Sequence, residues 1–204
     1  MTRRLAETKI VLASHNAGKL REIAALVEPF GIEVVSAGSL GLEEPEETET
    51  TFAGNARIKA HFAAGRSGLP ALSDDSGITV DALDGQPGVF TADWAETPNG
   101  RNFPMAMEKV WSLLEKKGVP LPRAAQFRCT LCLAWPDGHD ELFEGVCPGS
   151  LTWPMRGEQG FGFDPIFIPD GETETFGEMD PARKHAMSHR ADAFARFKTA
   201  CLDR

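Results

Sequence analysis

A chain of 204 residues that is 42% hydrophobic and 25% charged has enough apolar material for a real core, which excludes wholesale disorder and a fibrous architecture. Its 21 Lys and Arg against 30 Asp and Glu give a net charge of -9, which repels nucleic acid polymers at long range and makes them poor partners. A small anion remains acceptable, because a local cluster of amides and a few basic side chains can hold one whatever the total charge, above all when a divalent cation accompanies it.

The first predicted element is a buried strand at 9–13, the apolar run KIVLA, which breaks at Ser14, His15 and Asn16. The period then changes: Leu20, Ile23, Val27 and Phe30 recur every three or four residues, so a helix is expected over 17–28 after a tight polar turn containing Gly18. Pro29 and Gly31 end it, and a second strand is expected at 32–35. An acidic run, Glu43 to Glu49, precedes Thr51, a helix cap for a second helix whose face carries Phe52, Ala56, Ala60 and Ala63.

Next come a short strand at 71–73, a polar turn at 74–77 and a strand from Ile78 onward in which Ile78, Val80 and Ala82 alternate with polar residues. Helical spacing returns between 99 and 117 and stops at Gly118. The segment 125–135 alternates, with Phe127, Cys129, Leu131 and Leu133 facing one way, and pairs as a hairpin with 140–147 through Pro136, Asp137 and Gly138. A glycine-rich loop precedes 165–168, and a last helix is expected over 188–202. Strands flanked by helices, with a hairpin among them, predict an α/β fold with a mixed sheet in one domain spanning 1–204.

The four cysteines, Cys129, Cys132, Cys147 and Cys201, imply no disulfide framework in a chain of this size. Cys129 and Cys132 have CxxC spacing, yet a strand sends them to opposite faces and no second pair follows, so neither zinc nor redox chemistry is expected. Residues 1–12 mix basic and acidic groups without the apolar stretch of a signal peptide, and no run approaches a membrane span, so no membrane association and a cytoplasmic location are expected.

Four segments carry candidate chemistry. SHNAGKLRE supplies Ser14, His15, Asn16, Ala17, Gly18 and Lys19 at a helix start: amides, a hydroxyl, a carboxamide and one cation, the parts that hold a phosphate or pyrophosphate. It lacks the longer glycine-rich loop and Lys-Ser or Lys-Thr ending of a P-loop. Ser73, Asp74, Asp75, Ser76 and Gly77 put two carboxylates together at the tip of a strand, suited to binding magnesium while one of them orients or deprotonates a water. GFGFDP, with Phe161, Gly162, Phe163 and Asp164, offers aromatic faces to a flat base and polar groups to its edge. RKHAMSHRA places Lys184, His189 and Arg190 near the start of the last helix, where a donor can read a base carbonyl or neutralise phosphate.

The stretches LASHNAGKLREI, ETETTFAGNARIKA, LPALSDDSGITVDALDGQPGVFTADWA, GFGFDPIFIP and KHAMSHRA follow one another from Leu12 to Ala191, and the ordered set resembles the inosine triphosphatase family of pyrophosphatases that act on XTP, ITP and dITP. The resemblance implies an elongated mixed sheet flanked by helices, two lobes with a nucleotide cleft between them, and a homodimer. It implies that Ser14 to Lys19 bind the triphosphate, that Asp75 is proton acceptor and magnesium ligand with Asp74 as its supporting catalytic neighbour, and that Ser76 contacts substrate. Glu46 or Glu47 would be a further metal ligand. Phe161 to Asp164 match the base-stacking loop, Lys184 a substrate contact, and His189 with Arg190 the pair that reads the purine 6-keto group. The reaction so implied is attack of water on the α phosphate, releasing a monophosphate and pyrophosphate. Two departures stand out: Phe163 sits where relatives often carry Tyr or Trp, and TADWAE replaces a SARY-like sequence. A pyrophosphatase of broader substrate range and a nucleotide sensor that does not cut are the competing expectations, separable by a substrate panel and by the survival of bound nucleotide in magnesium.

Overall fold

The computed structural model describes residues 2–203. In chain order the elements are β1 (Lys9–Leu12), α1 (Ala17–Val27), β2 (Glu33–Ser36), α2 (Phe52–Ser67), β3 (Ala71–Val80), the short β4 (Glu96–Thr97) and β5 (Gly100–Arg101), α3 (Phe103–Lys116), β6 (Arg123–Ala134), β7 (Asp140–Leu151), β8 (Phe167–Pro169), α4 (Pro181–Met187) and α5 (His189–Phe197). Six strands form one sheet in the order β2-β1-β3-β6-β7-β8, and β4 pairs with β5 apart from it. β1 is parallel to β2 and to β3, whereas β7 and β8 are antiparallel. The sheet is therefore mixed and flanked by helices, as the alternation of strand and helix periods predicts.

The chain divides into two compact units, and β3, β6 and β7 contribute residues to both. The first contains the chain up to Asp75, residues 129–145 and the segment from Arg190 onward. Its central strands, β1, β3 and β6, are buried on both faces, and the two faces fill differently. Ile10, Leu12, Leu72, Cys129, Leu131 and Leu133 pack with Ile23 and Val27 of α1 and with Ala193, Phe194 and Phe197 of α5. Val11, Ala13, Ala71, Cys132 and Ala134 pack with Ala56, Ala60, Ala63 and Ala64 of α2. Side chains alternate along a strand, so consecutive residues of β1 feed opposite layers.

α2 begins at Thr51, whose side chain accepts from Gly54 N at 3.0 Å, and ends at Gly68 in the left-handed conformation, φ 70°. Four of its six buried residues are alanine, which lets the helix lie close to the sheet. Two polar residues, Asn55 and Lys59, share that face.

The second unit holds residues 76–128 and 146–189. Its core joins Ile78 and Val80 of β3 to Met107, Val110 and Leu114 of α3 and to Phe127, Phe163, Phe167 and Phe176. Aromatic rings meet edge-on there, Phe127 against Phe167 at 4.7 Å between centroids.

The structure differs from the expected elements in two places that matter for chemistry. Residues 74–77 are not a turn: β3 runs unbroken from Ala71 to Val80, because Asp74 and Asp75 find partners on both faces of the sheet and no reversal is needed to reach water. The helix expected over 188–202 is present as α5, continued by a π-helical turn at Lys198–Leu202, but an unexpected helix, α4, precedes it and ends at Ser188, extended at φ -72° and ψ 158°.

Candidate active site

In the first unit β1 ends at Leu12, opposite Leu72 of the parallel β3. The turn that follows β1 and the residues that continue β3 thus leave from the same edge, the place where open α/β sheets gather ligand-binding groups. Ser14 is buried and its hydroxyl accepts from Asn16 N at 3.2 Å. Asn16 caps α1: its side-chain oxygen accepts from Gly18 N at 2.9 Å and Lys19 N at 3.2 Å, so two of the amides expected to face a phosphate are engaged by the cap. Ala17 is exposed. His15 is also exposed and hydrogen-bonds the Leu42 carbonyl through Nε2 at 3.1 Å.

Asp74 and Asp75 are neighbours in sequence that point to opposite faces, the direct result of strand alternation. Asp74 lies on the α1 and α5 side and is 1% exposed. Its Oδ1 is 2.5 Å from Lys19 Nζ. Its Oδ2 accepts from Arg190 Nε at 3.0 Å and from the Cys129 thiol at 3.0 Å. Arg190 also holds Glu22 through Nη1. Burial opposes the charged carboxylate, but Arg190 and then Lys19 outweigh it and keep the Asp74 carboxyl well below its ordinary value.

Asp75 lies on the α2 side, 5% exposed. Lys59 Nζ is 3.0 Å from its Oδ1 and 2.9 Å from Glu47 Oε1. Its other oxygen, Oδ2, is buried with no hydrogen-bond partner. Burial pushes the Asp75 carboxyl up to about 6, overcoming the opposite pull of the Lys59 and Lys19 ammonium groups, while repulsion from Glu47 adds to the rise. Lys59 moves the other way to a buried amine: burial favours its neutral form, yet Asp75 and Glu47 together raise its pKa. Glu46, the other expected ligand, is exposed, and the acidic run is brought to the helix by Glu49, against whose Cβ a side chain at Gly54 would stand only 2.6 Å away.

Asp75 and Glu47 are hard oxygen donors, and the buried unpartnered Oδ2 is what a divalent cation would satisfy. Among the described residues no three His, Cys, Asp or Glu side chains gather into a metal cluster. Two carboxylates, with phosphate oxygens and water completing the shell, are the usual provision for magnesium. The residues present therefore fit that ion.

In the second unit the loop at 160–165 is organised by Asp164. The Asp164 carboxylate is 2% exposed and accepts through Oδ2 from Phe161 N at 2.7 Å and from Lys184 Nζ at 2.6 Å. Gly160, φ 75°, is required, since a Cβ there would stand 2.0 Å from that same oxygen. Asp164 thus holds the loop and the lysine, where sequence reasoning expected it to read a base edge. Phe163 is 1% exposed, packed edge-on to Phe103 at 6.3 Å, so it belongs to the core. Phe161 and Gly162 are half-buried, and Lys184 Nζ lies 5.0 Å from the Phe161 ring centroid. The His189 ring stacks on Phe127 at 5.0 Å and 14°. Ser76 is half-buried. His189 belongs to this unit and Arg190 to the other. The expected His189 and Arg190 pair therefore consists of one ring in an aromatic stack and one guanidinium committed to Asp74 and Glu22.

Three residues in these clusters were missed by motif reading: Lys59, Cys129 and Glu22. Lys59 had a signal, since a lysine on the alanine face of α2 has no reason to be buried without a carboxylate to meet. Cys129 and Glu22 had none, because on a strand and on a helix their positions look like core and surface.

The model of the Ham1 family matches residues 10–200. A dITP/XTP pyrophosphatase of Ruegeria pomeroyi is 62% identical over 202 residues, 99% of each chain. One of Brucella melitensis is 56% identical and covers 98% of this chain and 96% of its own. Among solved structures, a HAM1 protein from Coxiella burnetii superimposes with a TM-score of 0.86 at 37% identity, over 95% of this chain and 98% of that one. The Staphylococcus aureus Ham1 protein gives 0.81 at 32% identity, over 94% and 96%.

Proposed function

The chain belongs to the Ham1 family, as its motif order led us to expect, and on that premise we propose that it hydrolyses XTP, ITP and dITP to the monophosphate and pyrophosphate. The observation that carries the chemistry is the buried, unpartnered Oδ2 of Asp75 on a carboxyl raised to about 6. A group of that kind accepts a proton from water more readily than its neighbour, because Asp74 is occupied on both oxygens.

In this reading the Asp75 carboxylate takes the proton of the water that attacks the α phosphorus. Lys19, aimed by Asp74 and by the Asn16 cap, meets negative charge on the phosphates, and Lys59 balances charge on Asp75 and Glu47. Magnesium, when bound by Asp75 and Glu47, would supply Lewis-acid charge to the phosphate oxygens. The half-buried Phe161 ring is the base-stacking surface, and Lys184, anchored by Asp164, is a donor beside it. A homodimer and a cytoplasmic location belong to the same proposal, supported by the motif resemblance and by a substrate class found in the free nucleotide pool.

The test is a product assay resolving nucleotides and pyrophosphate, with ITP, XTP, dITP, GTP and ATP, each with and without magnesium. IMP or XMP together with pyrophosphate, formed at least about tenfold faster than GMP or AMP, is the expected result. Equal turnover of all five would remove the base selection, and binding without cleavage would remove the enzyme.

A further inference from the structure

Cys129 sits on the face of β6 that also carries Leu131 and Leu133, an apolar row packed against α1 and α5. Its thiol is 1% exposed and 3.0 Å from Asp74 Oδ2, on the neighbouring strand of the sheet. The direction of this bond is fixed by chemistry. The Asp74 carboxylate lies between the Lys19 ammonium and the Arg190 guanidinium, and a carboxylate so paired only accepts. The Cys129 thiol, buried in an apolar row, is therefore the donor, Sγ to Oδ2 at 3.0 Å. Cys129 supplies a neutral donor to a carboxylate that also meets two flexible cations, Lys19 and Arg190. A donor mounted on a strand has far less freedom than either long side chain, so it fixes the plane of the carboxylate.

We propose that Cys129 is a positioning residue for the reaction: through its thiol hydrogen bond it sets the Asp74 carboxylate that aims the Lys19 ammonium. The inference rests on the reading of Lys19 as the phosphate-facing cation. It predicts that the donor at position 129, and not merely its volume, is what turnover requires. Cys129 contributes no nucleophile and no redox step; nothing is transferred to or from the sulfur.

Three variants and one spectrum test it. Cys129→Ser keeps a donor of similar size, Cys129→Val keeps an apolar group of similar volume without a donor, and Cys129→Ala removes both. With ITP as substrate, kcat is expected to fall about tenfold in Val and Ala and to be within about twofold of the parent in Ser, with the loss in kcat exceeding any change in KM. A packing role reverses the order: Val at parent level and Ser impaired would overturn the proposal, as would Ser and Val losing equally. Infrared spectroscopy of the parent gives an answer that does not depend on any variant folding or on turnover. A thiol donating to a carboxylate has its S–H stretch at lower frequency than the other buried thiols, Cys132, Cys147 and Cys201. Absence of a low-frequency band sinks the proposal. If the parent shows the band but cleaves none of the triphosphates, the thiol still holds Asp74 and it is the functional reading, and with it the catalytic consequence, that fails.

Discussion

Lys59 of α2 and Asp75 of β3 form a buried ion pair, 3.0 Å between Nζ and Oδ1, in which the same ammonium is also 2.9 Å from Glu47 Oε1. The pair ties the alanine face of α2 to the centre of the sheet. Removing the cation alone leaves a carboxylate in a site that water barely reaches. Lys59→Met is therefore expected to destabilise the fold by about 3 kcal/mol, read as a shift of the urea midpoint at constant slope. The double variant Lys59→Met with Asp75→Asn should recover more than half of that loss, because a neutral amide needs no counter-charge. Equal losses in the single and double variants would show that the helix stem, and not the charge, matters.

Asp74 and Asp75 separate by function as well as by face. Asp75→Asn removes the proton acceptor and is expected to lower kcat about a thousandfold, while the urea midpoint falls less than in Lys59→Met, because Glu47 still pairs with the Lys59 ammonium. Asp74→Asn takes away the charge that two buried cations share, so its main effect is a loss of stability of about 3 kcal/mol. Measuring kcat and urea midpoint for both variants separates the roles. An Asp74→Asn protein of unchanged stability would contradict the buried network of Asp74, Lys19, Arg190 and Cys129.

Phe161 and Phe163 divide in the same way. Phe163, 1% exposed and packed on Phe103, should cost about 3–5 kcal/mol of stability when changed to Ala. Phe161→Ala should leave stability within about 1 kcal/mol and raise KM roughly tenfold, the worth of one lost base–ring stack. The opposite distribution of effects would assign the stacking surface to Phe163.

Asp140 gives a pH-dependent contribution away from the catalytic carboxylates. Burial disfavours its charge, but hydrogen bonds from His61 and Arg57 outweigh this and lower its pKa from 3.8. A carboxyl depressed in the folded chain stabilises it above the ordinary value and loses that contribution as the pH falls through the folded one. Urea midpoints of the parent and of Asp140→Asn should therefore differ most above pH 3.8 and converge below it. For a pair this near the surface the gap at neutral pH should be about 1 kcal/mol or less, and a gap that widened in acid would refute the assignment.

Much of this could be read from local pattern. The apolar run of β1, the helical spacing of α1 after Asn16, the Thr51 cap and the alternating row of Phe127, Cys129, Leu131 and Leu133 each follow from periods of 2 or 3.6 residues that a short window contains. The same windows misread residues 74–77, because a polar tetrad in a strand looks like a turn until its partners are known. They also gave Phe163 and Phe161 equal standing, since two aromatics separated by one glycine carry no mark of which ring enters the core.

The sequence by itself determined the α/β class, the phosphate-loop composition of residues 14–19 and the presence of two adjacent carboxylates followed by Ser76 and Gly77. Only the tertiary structure decided what each carboxylate does. Asp74 is bonded to Cys129, 55 residues away, and to Arg190, 116 residues away, whereas Asp75 meets Lys59 across 16. Alternation along β3 sends the two neighbours into different layers, and each layer is assembled from elements far apart in the chain. Charge, burial and the vacant hydrogen-bonding capacity of Asp75 Oδ2 are properties of those layers, and no local stretch of residues contains them.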